Sequence, residues 1–397
     1  MTILTLNAGS ATLKFAAYFD DGERPLLHGQ IEHLGPSTSD PPPRFYACRA
    51  DGQHLLETVL PQRDPETALH HLAAWLETEV SSVTAVSHRI VHGGPRYSRP
   101  TLLDDEAFDY LEGLVPLAPL HQPHGLAGAR ILQQQLPQAR HLACFDTAFH
   151  RTQSELQQRY ALPEELFRLG IRRYGFHGLS YQYVAEQLPQ VLGERIGRGR
   201  VIIVHLGNGA SACAVVNGRS IASSMGFTAL EGLMMGSRCG RIDPGVLLYL
   251  QDSLDFSSAD IADLLYRRSG LLGVSGISHD MRQLQASAHP AARRAVELFC
   301  LMAAREIASL VVSSGGIDAL VFTAGIGEHS ALVRAGIVER LEWLGFRLDP
   351  EANHQTIATT SCISDPGSQP SLWVIPTNEE AMLARQAARW LEEHQSA

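Results

Sequence analysis

Residues 201–216 carry the pattern that decides the expected fold, and they read Val-Ile-Ile-Val-His-Leu-Gly-Asn-Gly-Ala-Ser-Ala-Cys-Ala-Val-Val. The apolar run at 201–206 predicts a buried β-strand, the small residues at 207–211 predict a tight turn, and residues 212–216 predict a second strand. Asn217-Gly218 follows, a pair that favours a two-residue β-hairpin. The stretch therefore indicates a strand, a small-residue turn and a further strand that enters a hairpin.

A similar unit opens the chain. Residues 3–6 predict a strand, residues 7–12 (Asn-Ala-Gly-Ser-Ala-Thr) predict a polar turn, and residues 13–18 predict the next strand. A third glycine-rich turn is predicted at 324–328, after an apolar strand that begins at Ala319. The first two units share few identical residues, so the sequence suggests a duplication without establishing it.

Helices are expected to alternate with these strands. One is predicted over 290–313, and another from about 379 to 393, where Thr377 and Glu380 are spaced as a capping box. The proline-rich residues 35–43 are predicted to form a loop. The alternation of strands and helices places the chain in the α/β class.

Composition excludes several classes of function. The chain has 397 residues, enough for two domains, and 45% of them are hydrophobic. The net charge of −10 argues against a nucleic-acid binder or a protein of anionic membranes, because both need a positive surface. The six cysteines form no CxxC pair, and we find neither a signal peptide nor a membrane-spanning run. A soluble cytoplasmic protein is therefore expected.

Turns built from small residues let backbone N–H groups wrap a phosphate chain. Three such turns in one chain favour a nucleoside triphosphate as the ligand. No GxxxxGK[ST] motif occurs, which excludes a P-loop enzyme. Gly207-x-Gly209-x-x-Ala212 imitates a dinucleotide fingerprint, but that fingerprint must open a helix, and here a strand is predicted. An NAD-dependent dehydrogenase is therefore a remote alternative.

A series of short motifs follows along the chain, at residues 7–10 with Lys14, 88–94, 118–121, 145–150, 172–178, 205–209, 225–228, 231–233, 235–238, 242–245, 323–328 and 375–380. Each motif is weak by itself, but their common order makes the pattern specific. In this order they resemble the acetate kinases of the acetokinase family over nearly the whole chain.

The resemblance implies an actin-like ATPase fold, in which a ribonuclease-H-like domain is duplicated around a central cleft. The first domain is expected to comprise residues 1–149 and 382–397, and the second, nucleotide-binding domain residues 150–381. The implied reaction is the reversible transfer of the ATP γ-phosphoryl group to acetate, giving ADP and acetyl phosphate. Mg²⁺ is the implied cofactor, with Mn²⁺ as an alternative, and a homodimer is implied as well.

By the same resemblance, four residues are expected to be catalytic, namely Arg89, Asp146, His177 and Arg238. The reaction joins two anions, and the guanidinium groups of Arg89 and Arg238 suit carboxylate and phosphoryl oxygens. His177 is expected to hydrogen-bond the transferred phosphoryl group. Acetate is already ionised at neutral pH, so we expect Asp146 to orient an arginine or metal-bound water instead of accepting a proton. A salt bridge, a buried histidine and a turn cap are the structural alternatives.

The resemblance also assigns binding residues. Asn7 and Glu379 are expected to help hold the metal, with roles in a turn and at a helix start as the alternatives. The nucleotide is expected to contact Lys14 (the only lysine in the chain), His205, Leu206, Gly207, Asn208, Gly209, Asp280, Met281, Arg282, Gly325, Ile326, Gly327, Glu328 and His329. The acyl substrate is expected to contact Arg89, Val91, Leu120 and Phe176, and core packing is the alternative for the three apolar residues.

Several positions depart from the pattern of the family. Tyr181 stands where a second histidine is common, Gln122 and His329 where asparagines are, and Ala229 where a proline is. The smaller side chain of Ala229 could admit propionate, because one methylene in an apolar pocket is worth only about 1–3 kcal/mol. A propionate kinase of the same family is therefore an alternative, as is a nucleotide sensor without catalysis.

Overall fold

The computed structural model describes residues 1–9, 11–19, 24–35, 41–80 and 82–394. By its contacts the chain divides into an N-terminal unit, Met1–Phe149 with Asn378–Ala397, and a central unit, His150–Thr377. Ser10 of the first predicted turn, residues 36–40 of the predicted loop and residues 395–397 of the first predicted domain lie outside the described residues.

One mixed sheet forms the frame of the N-terminal unit. Its strands are β1 (Thr2–Ala8), β2 (Thr12–Phe19), β3 (Pro25–Glu32), β4 (Arg44–Arg49), β5 (His54–Val59), β6 (Ala85–Ile90), β7 (Thr101–Leu102) and β8 (Arg140–Phe145). Their order in the sheet is β5-β4-β3-β2-β1-β6-β8-β7. Strands β1, β6 and β8 run parallel to one another, so their carboxyl ends lie at one edge of the sheet.

Three helices of this unit precede residue 149, namely α1 (Pro65–Glu79), α2 (Asp105–Glu112) and α3 (Gln122–Gln135). Helix α1 begins after Asp64, whose side chain accepts from the Thr67 N–H at 2.7 Å. Its buried face, which includes Leu69, Leu72 and Leu76, joins a core with residues of β1 and β2. Helix α3 packs against α1 and β6 and so supports the strands that carry candidate site residues.

The central unit is built on a second mixed sheet. Its strands are β9 (Arg200–Leu206), β10 (Ala210–Val216), β11 (Arg219–Ser223), β12 (Ala319–Thr323), β13 (Ser361–Cys362) and β14 (Ser371–Val374), in the order β11-β10-β9-β12-β14-β13. Strand β9 pairs antiparallel with β10 and parallel with β12, and β12 pairs parallel with β14. A strand follows the Gly207–Gly209 turn, so the helix that a dinucleotide fingerprint requires is not found there.

The helices of the central unit surround this sheet. They are α4 (Glu155–Gln158), α5 (Glu164–Arg168), α6 (Gly178–Leu192), α7 (Glu194–Gly197), α8 (Pro244–Leu254), α9 (Ser258–Arg267), α10 (Gly270–Ser275), α11 (Met281–Ala286), α12 (Pro290–Ser314), α13 (Ala324–His329), α14 (Ala331–Glu339) and α15 (Pro350–Gln355). Short 3-10 turns occur in the chain as a whole at Val115–Leu117, which belongs to the N-terminal unit, and at Ala148–Thr152 and Glu342–Leu344. Helix α12 packs against β9, β10 and β11, which confirms the long helix predicted over 290–313.

The same five-strand arrangement occurs in both sheets. In each unit three consecutive antiparallel strands are followed by two parallel strands, giving the central orders β3-β2-β1-β6-β8 and β11-β10-β9-β12-β14. The strand–turn–strand patterns at residues 3–18 and 201–216 form the corresponding pairs β1–β2 and β9–β10. This shared topology supports the duplication that the sequence only suggested.

Two local predictions were wrong. The third glycine-rich turn is the short helix α13, which starts directly after β12 with Ala324 at φ +64°. The last helix, α16 (Glu379–His394), is capped by Asn378, whose Oδ1 accepts from the Ala381 N–H at 2.9 Å. Thr377 lies one residue too early to cap it, and its Oγ1 is buried without a hydrogen-bond partner among the described residues.

Helix α16 belongs to the N-terminal unit, where it packs against β1 and β6. The contacts divide the chain at Asn378, and the expectation was a return to the first domain at residue 382. No helix in the described part of the chain is both long and apolar enough to cross a membrane.

The predicted hairpin at Asn217-Gly218 is confirmed. It joins β10 to β11 with φ +50° at Asn217 and φ +71° at Gly218, the signs that a type I′ turn requires. A Cβ added at Gly218 would meet nothing within 4 Å. The glycine is therefore needed for its backbone conformation and not for space.

We predict that Gly218→Ala lowers the free energy of unfolding by about 1 kcal/mol, because alanine resists a positive φ. The melting temperature should fall by about 2–4 °C in differential scanning calorimetry. Asn217→Gly is the matched control, because glycine adopts the positive φ of this position. It should change the melting temperature less. Equal losses in the two variants would contradict this account of the turn.

Candidate functional site

The N-terminal unit brings together Asn7, Arg89, Asp146 and Glu379, which we call the Arg89 cluster. Asn7 lies in β1, Arg89 lies in β6, and Asp146 directly follows β8. These three neighbouring strands are parallel, so they deliver the side chains to one edge of the sheet. Glu379 is the first residue of α16, which packs on the same strands. Strand order therefore explains why residues so distant in sequence meet.

Arg89 is the centre of this cluster. Its Nη2 donates to Asp146 Oδ2 at 2.6 Å, and its Nε donates to Asp146 Oδ1 at 3.1 Å. Its Nη1 donates to Asn7 Oδ1 at 3.2 Å and lies 3.8 Å from Glu379 Oε2. The Asp146 side chain is 1% exposed and that of Arg89 is 17% exposed. The guanidinium is thus held by Asp146 and Asn7, in a side chain that is mostly buried.

The charges of the cluster reinforce one another. Burial by itself would lower the pKa of Arg89, but the charges of Asp146 and Glu379 offset this effect and raise the pKa above its ordinary value. Arg89 therefore stays protonated. Burial, together with the charge of the adjacent Glu379, raises the pKa of Glu380. Lys14 pairs directly with Asn7 in the β1–β2 ladder, so both side chains lie on one face of the sheet.

The central unit brings together His177, His205, Gly209, Ser211 and Arg238, which we call the His177 cluster. His177 precedes α6 with φ +58°, a left-handed conformation that is uncommon for histidine. His205 lies near the end of β9, directly opposite Ser211 of β10. The rings of His177 and His205 stack with 4.2 Å between centroids and 14° between planes.

Hydroxyl groups hold both imidazoles of the His177 cluster. His177 Nδ1 lies 2.7 Å from Ser211 Oγ, which is also 2.5 Å from Tyr181 Oη. His205 Nδ1 lies 2.8 Å from Ser180 Oγ. Ser180 and Tyr181 belong to the first turn of α6, so one helix end supports both rings.

Gly209 lies beside the terminal side-chain nitrogens of Arg238 and His177. A Cβ added there would lie 2.7 Å from Arg238 Nη2 and 3.2 Å from His177 Nε2, so both atoms face this glycine. Arg238 is 8% exposed, and its Nη1 donates to Ala229 O at 2.6 Å. The Gly207 N–H donates to Gly209 O at 3.0 Å, which closes the tight turn predicted from the sequence. A guanidinium and an imidazole thus converge on a glycine of this turn, where no side chain lies between them.

A cavity of 550 Å³ opens beside this turn within the central unit. Its lining contains most of the predicted nucleotide residues, namely Gly207, Asn208, Asp280, Met281, Arg282, Gly325, Ile326 and His329, together with His279, Gln285 and Ser330. The Arg282 guanidinium donates to Asp280 at 2.7 Å and holds the pKa of that carboxyl below its usual range. His279, Gln285 and Ser330 were not among the residues predicted to contact the nucleotide.

Other predicted nucleotide residues lie elsewhere. Gly327 and Glu328 are not in the cavity lining, and Glu328 is buried with Oε1 accepting from the N–H groups of Ala324 (2.7 Å) and Thr377 (3.1 Å). These contacts give Glu328 a structural role. Leu206 is wholly buried in β9, and Lys14 belongs to the N-terminal unit.

The residues expected at the acyl group are divided between the units. Val91 follows β6 and is buried, and Leu120 is partly buried in the turn before α3. Phe176 is buried in the central unit, where its carbonyl accepts from His150 Nε2 at 2.9 Å. Neither unit contains the whole predicted set. Gln122 is fully buried, and its Oε1 accepts from the His92 N–H at 3.0 Å, so it supports the backbone next to Val91.

A larger open groove of 1230 Å³ also lies in the central unit, against α12 and α14. None of the predicted site residues lines it. Size therefore does not mark the candidate site in this unit, whereas the convergence of His177 and Arg238 on a glycine turn does.

Sequence reasoning missed the hydroxyl groups that position the cluster. Ser180 and Ser211 were not predicted, and Tyr181 was noted only as a departure from the family pattern. The register of β9 with β10 places Ser211 opposite His205, a relation that pairing the two predicted strands could have revealed. The contact from Tyr181 depends on how α6 packs, which no short motif encodes.

The oxygens of Asn7 and Glu379 suit a hard cation. Both lie within 3.8 Å of Arg89 Nη1, so they face one point. In the described part of the chain no group of three or more His, Cys, Asp or Glu residues is arranged to hold a metal ion. Mg²⁺ commonly takes few protein oxygens and completes its coordination with water and phosphate. The pair fits that mode of binding and not a site made by protein alone.

The chain is similar to known proteins in sequence and in fold. A model described as the Acetokinase family matches residues 2–385. The acetate kinase of Rhodopseudomonas palustris is 48% identical over 394 residues, which cover 98% of each chain. A propionate kinase structure from Francisella tularensis superposes with a TM-score of 0.89 at 36% identity, covering 97% of this chain and 98% of that one. An acetate kinase structure from Porphyromonas gingivalis gives 0.86 at 33% identity, covering 98% and 99%.

The two sheets and these neighbours define an α/β protein with the duplicated actin-like ATPase fold, as the sequence predicted. The resemblance seen in the ordered motifs is confirmed as well. The chain belongs to the acetokinase family.

We predict that Arg89→Met destabilises the protein by about 3 kcal/mol, because the buried Asp146 loses its guanidinium partner. The double variant Arg89→Met/Asp146→Asn should recover part of this loss, since no unpaired charge remains. Urea denaturation followed by circular dichroism measures both. Arg96→Met, which removes an exposed ion pair with Glu106, is the control and should change little. A double variant less stable than the single variant would contradict the assignment.

Proposed function

We propose that the chain catalyses reversible transfer of the γ-phosphoryl group of ATP to acetate, giving acetyl phosphate and ADP. The observation that carries the proposal is the convergence of Arg238 Nη2 and His177 Nε2 on Gly209, which directly precedes β10. Full-length relatives that are named acetate kinases support it.

The transfer is a direct displacement at phosphorus. One carboxylate oxygen attacks the γ-phosphorus in line while the bond to the β,γ-bridging oxygen breaks, and ADP leaves with that electron pair. Both reactants are anions, so their repulsion must be cancelled. Arg238 and His177 would donate to phosphoryl oxygens, and the guanidinium of Arg89 would bind an anionic oxygen.

Asp146 would act through Arg89 and not as a base. Acetate is ionised at neutral pH, so the nucleophile carries no proton to remove. Both carboxylate oxygens of Asp146 accept from Arg89, which fixes the plane and direction of the guanidinium. Its role is therefore to keep a charged fork in place before substrates arrive.

The metal and the nucleotide complete the proposal. Asn7 and Glu379 would hold Mg²⁺, directly or through water, and the ion would neutralise charge on the phosphate oxygens. The 550 Å³ cavity would take the adenosine, with Asp280 and His329 among its walls. The backbone N–H groups of Asn208 and Gly209, in the turn that borders this cavity, would donate to phosphate oxygens.

The acyl preference rests on small apolar residues. The candidates are Val91 and Leu120 in the N-terminal unit and Phe176, a larger residue, in the central unit. Ala229 keeps propionate as the second candidate, and the Francisella tularensis propionate kinase gives that candidate a close structural relative. We also propose that the protein is a cytoplasmic homodimer.

The acyl-chain profile tests the proposed function. Full-length protein with ATP and Mg²⁺ is supplied with acetate, propionate or butyrate, and the acyl phosphate is trapped as a hydroxamate. We expect kcat/KM to be highest for acetate. A maximum at propionate would select the second candidate, and ATP binding without acyl phosphate from any carboxylate would leave a nucleotide sensor.

We predict that Arg238→Ala lowers kcat by about 10²–10³-fold, because a donor to the reacting phosphoryl group is lost. The hydroxamate assay measures the rate, and circular dichroism confirms the fold. Arg241→Ala removes a nearby exposed arginine, paired with Glu306 at 3.2 Å, and should keep nearly wild-type activity. Near wild-type turnover of Arg238→Ala would remove Arg238 from the mechanism.

A further inference from the structure

Tyr181 is the buried end of a chain of hydrogen bonds that leads to His177. Its ring is fully buried in the first turn of α6, and its Oη lies 2.5 Å from Ser211 Oγ. Ser211 Oγ in turn lies 2.7 Å from His177 Nδ1. Ser211 is also fully buried, so the phenol and the hydroxyl are shielded from water.

The direction of each hydrogen bond follows from the need to satisfy buried donors. In the described part of the chain, Ser211 Oγ is the acceptor within reach of the Tyr181 hydroxyl. Burial raises the pKa of Tyr181, so the phenol keeps its proton. The Tyr181 O–H therefore donates to Ser211 Oγ.

The Ser211 hydroxyl must then donate its own hydrogen. Its other hydrogen-bond partner is His177 Nδ1. A nitrogen that accepts this bond carries no hydrogen, so the neutral ring has its hydrogen on Nε2. The hydrogen bonds therefore run in one direction, from the Tyr181 hydroxyl through the Ser211 hydroxyl to His177 Nδ1.

We propose that Tyr181 and Ser211 are positioning residues that hold His177 as the tautomer with its hydrogen on Nε2. The inference rests on the proposed function for its importance, because Nε2 is the atom that faces Gly209 beside Arg238. In this tautomer Nε2–H is a donor, which is what an anionic phosphoryl oxygen requires.

The surroundings of the ring add to this control. The left-handed backbone of His177 at φ +58° fixes where the side chain leaves α6, and stacking on His205 at 4.2 Å restricts its plane. Ser180 holds His205 in the same way from the next position of the helix. The tautomer and the orientation of His177 are thus set by separate contacts, and Tyr181 controls the tautomer.

The test measures directly which ring nitrogen of His177 carries the hydrogen. Protein labelled with ¹⁵N-histidine is examined by long-range ¹H–¹⁵N NMR, and His177→Asn assigns the signals of His177 by their loss. We expect Nε2 of the wild type to show the shift of a protonated ring nitrogen and Nδ1 that of an unprotonated one. In Tyr181→Phe the Ser211 hydroxyl can also accept, so both shifts should move towards a mixture of tautomers.

Tyr174→Phe is the matched control. Tyr174 is another buried tyrosine of the central unit, and its hydroxyl donates to Gly170 O at 2.9 Å. This variant should keep the wild-type His177 signals. In the hydroxamate assay Tyr181→Phe should lose about tenfold in kcat with KM for ATP unchanged, because ground-state binding is intact. A general loss of stability would lower the melting temperature of both variants without moving the His177 shifts.

Two results would overturn the inference. One is a wild-type spectrum with the hydrogen on Nδ1, and the other is a Tyr181→Phe spectrum with unchanged His177 shifts. The wild-type spectrum alone decides the tautomer if Tyr181→Phe fails to fold. The NMR result does not depend on turnover, so a failure to make acetyl phosphate would refute the proposed function and leave the hydrogen-bond chain intact.

Discussion

The parallel alignment of strands within each sheet is the constraint on which the rest of the structure depends. Because β1, β6 and β8 point the same way, Asn7, Arg89 and Asp146 reach one edge of the first sheet. In the second sheet β9 and β12 are likewise parallel, so the turn at residues 207–209 and the start of α13 lie at the same edge. An antiparallel arrangement would have sent these polar groups to opposite ends.

Within this frame, polar groups are held by buried partners and not by mobile surface contacts. Asp146 holds the guanidinium of Arg89, while Ser180 and Ser211 hold the stacked imidazoles of His205 and His177. Such support has an energetic cost, since each group loses water, but it removes the need to reorganise when a charged ligand binds. Both clusters use this solution with different residues.

The sequence predicted the α/β class, both strand–turn–strand units and the Asn217-Gly218 hairpin. These features are local, because strands, tight turns and short motifs are encoded by neighbouring residues. The predictions from the sequence failed where tertiary contacts determine the local structure. The Asn378 cap depended on a one-residue shift of the helix start, and α13 formed where glycines suggested a turn. The bond between Arg89 and Asp146 spans 57 positions, so only strand order reveals it.

The placement of Lys14 has a practical consequence. Since the chain has no other lysine, an amine-reactive fluorophore would attach at Lys14 and otherwise only at the terminal amine. Lys14 is exposed and sits opposite Asn7, so the dye would lie beside the Arg89 cluster. Lys14 is thus a natural labelling site for a reporter group, which would detect changes around that cluster without any engineered cysteine.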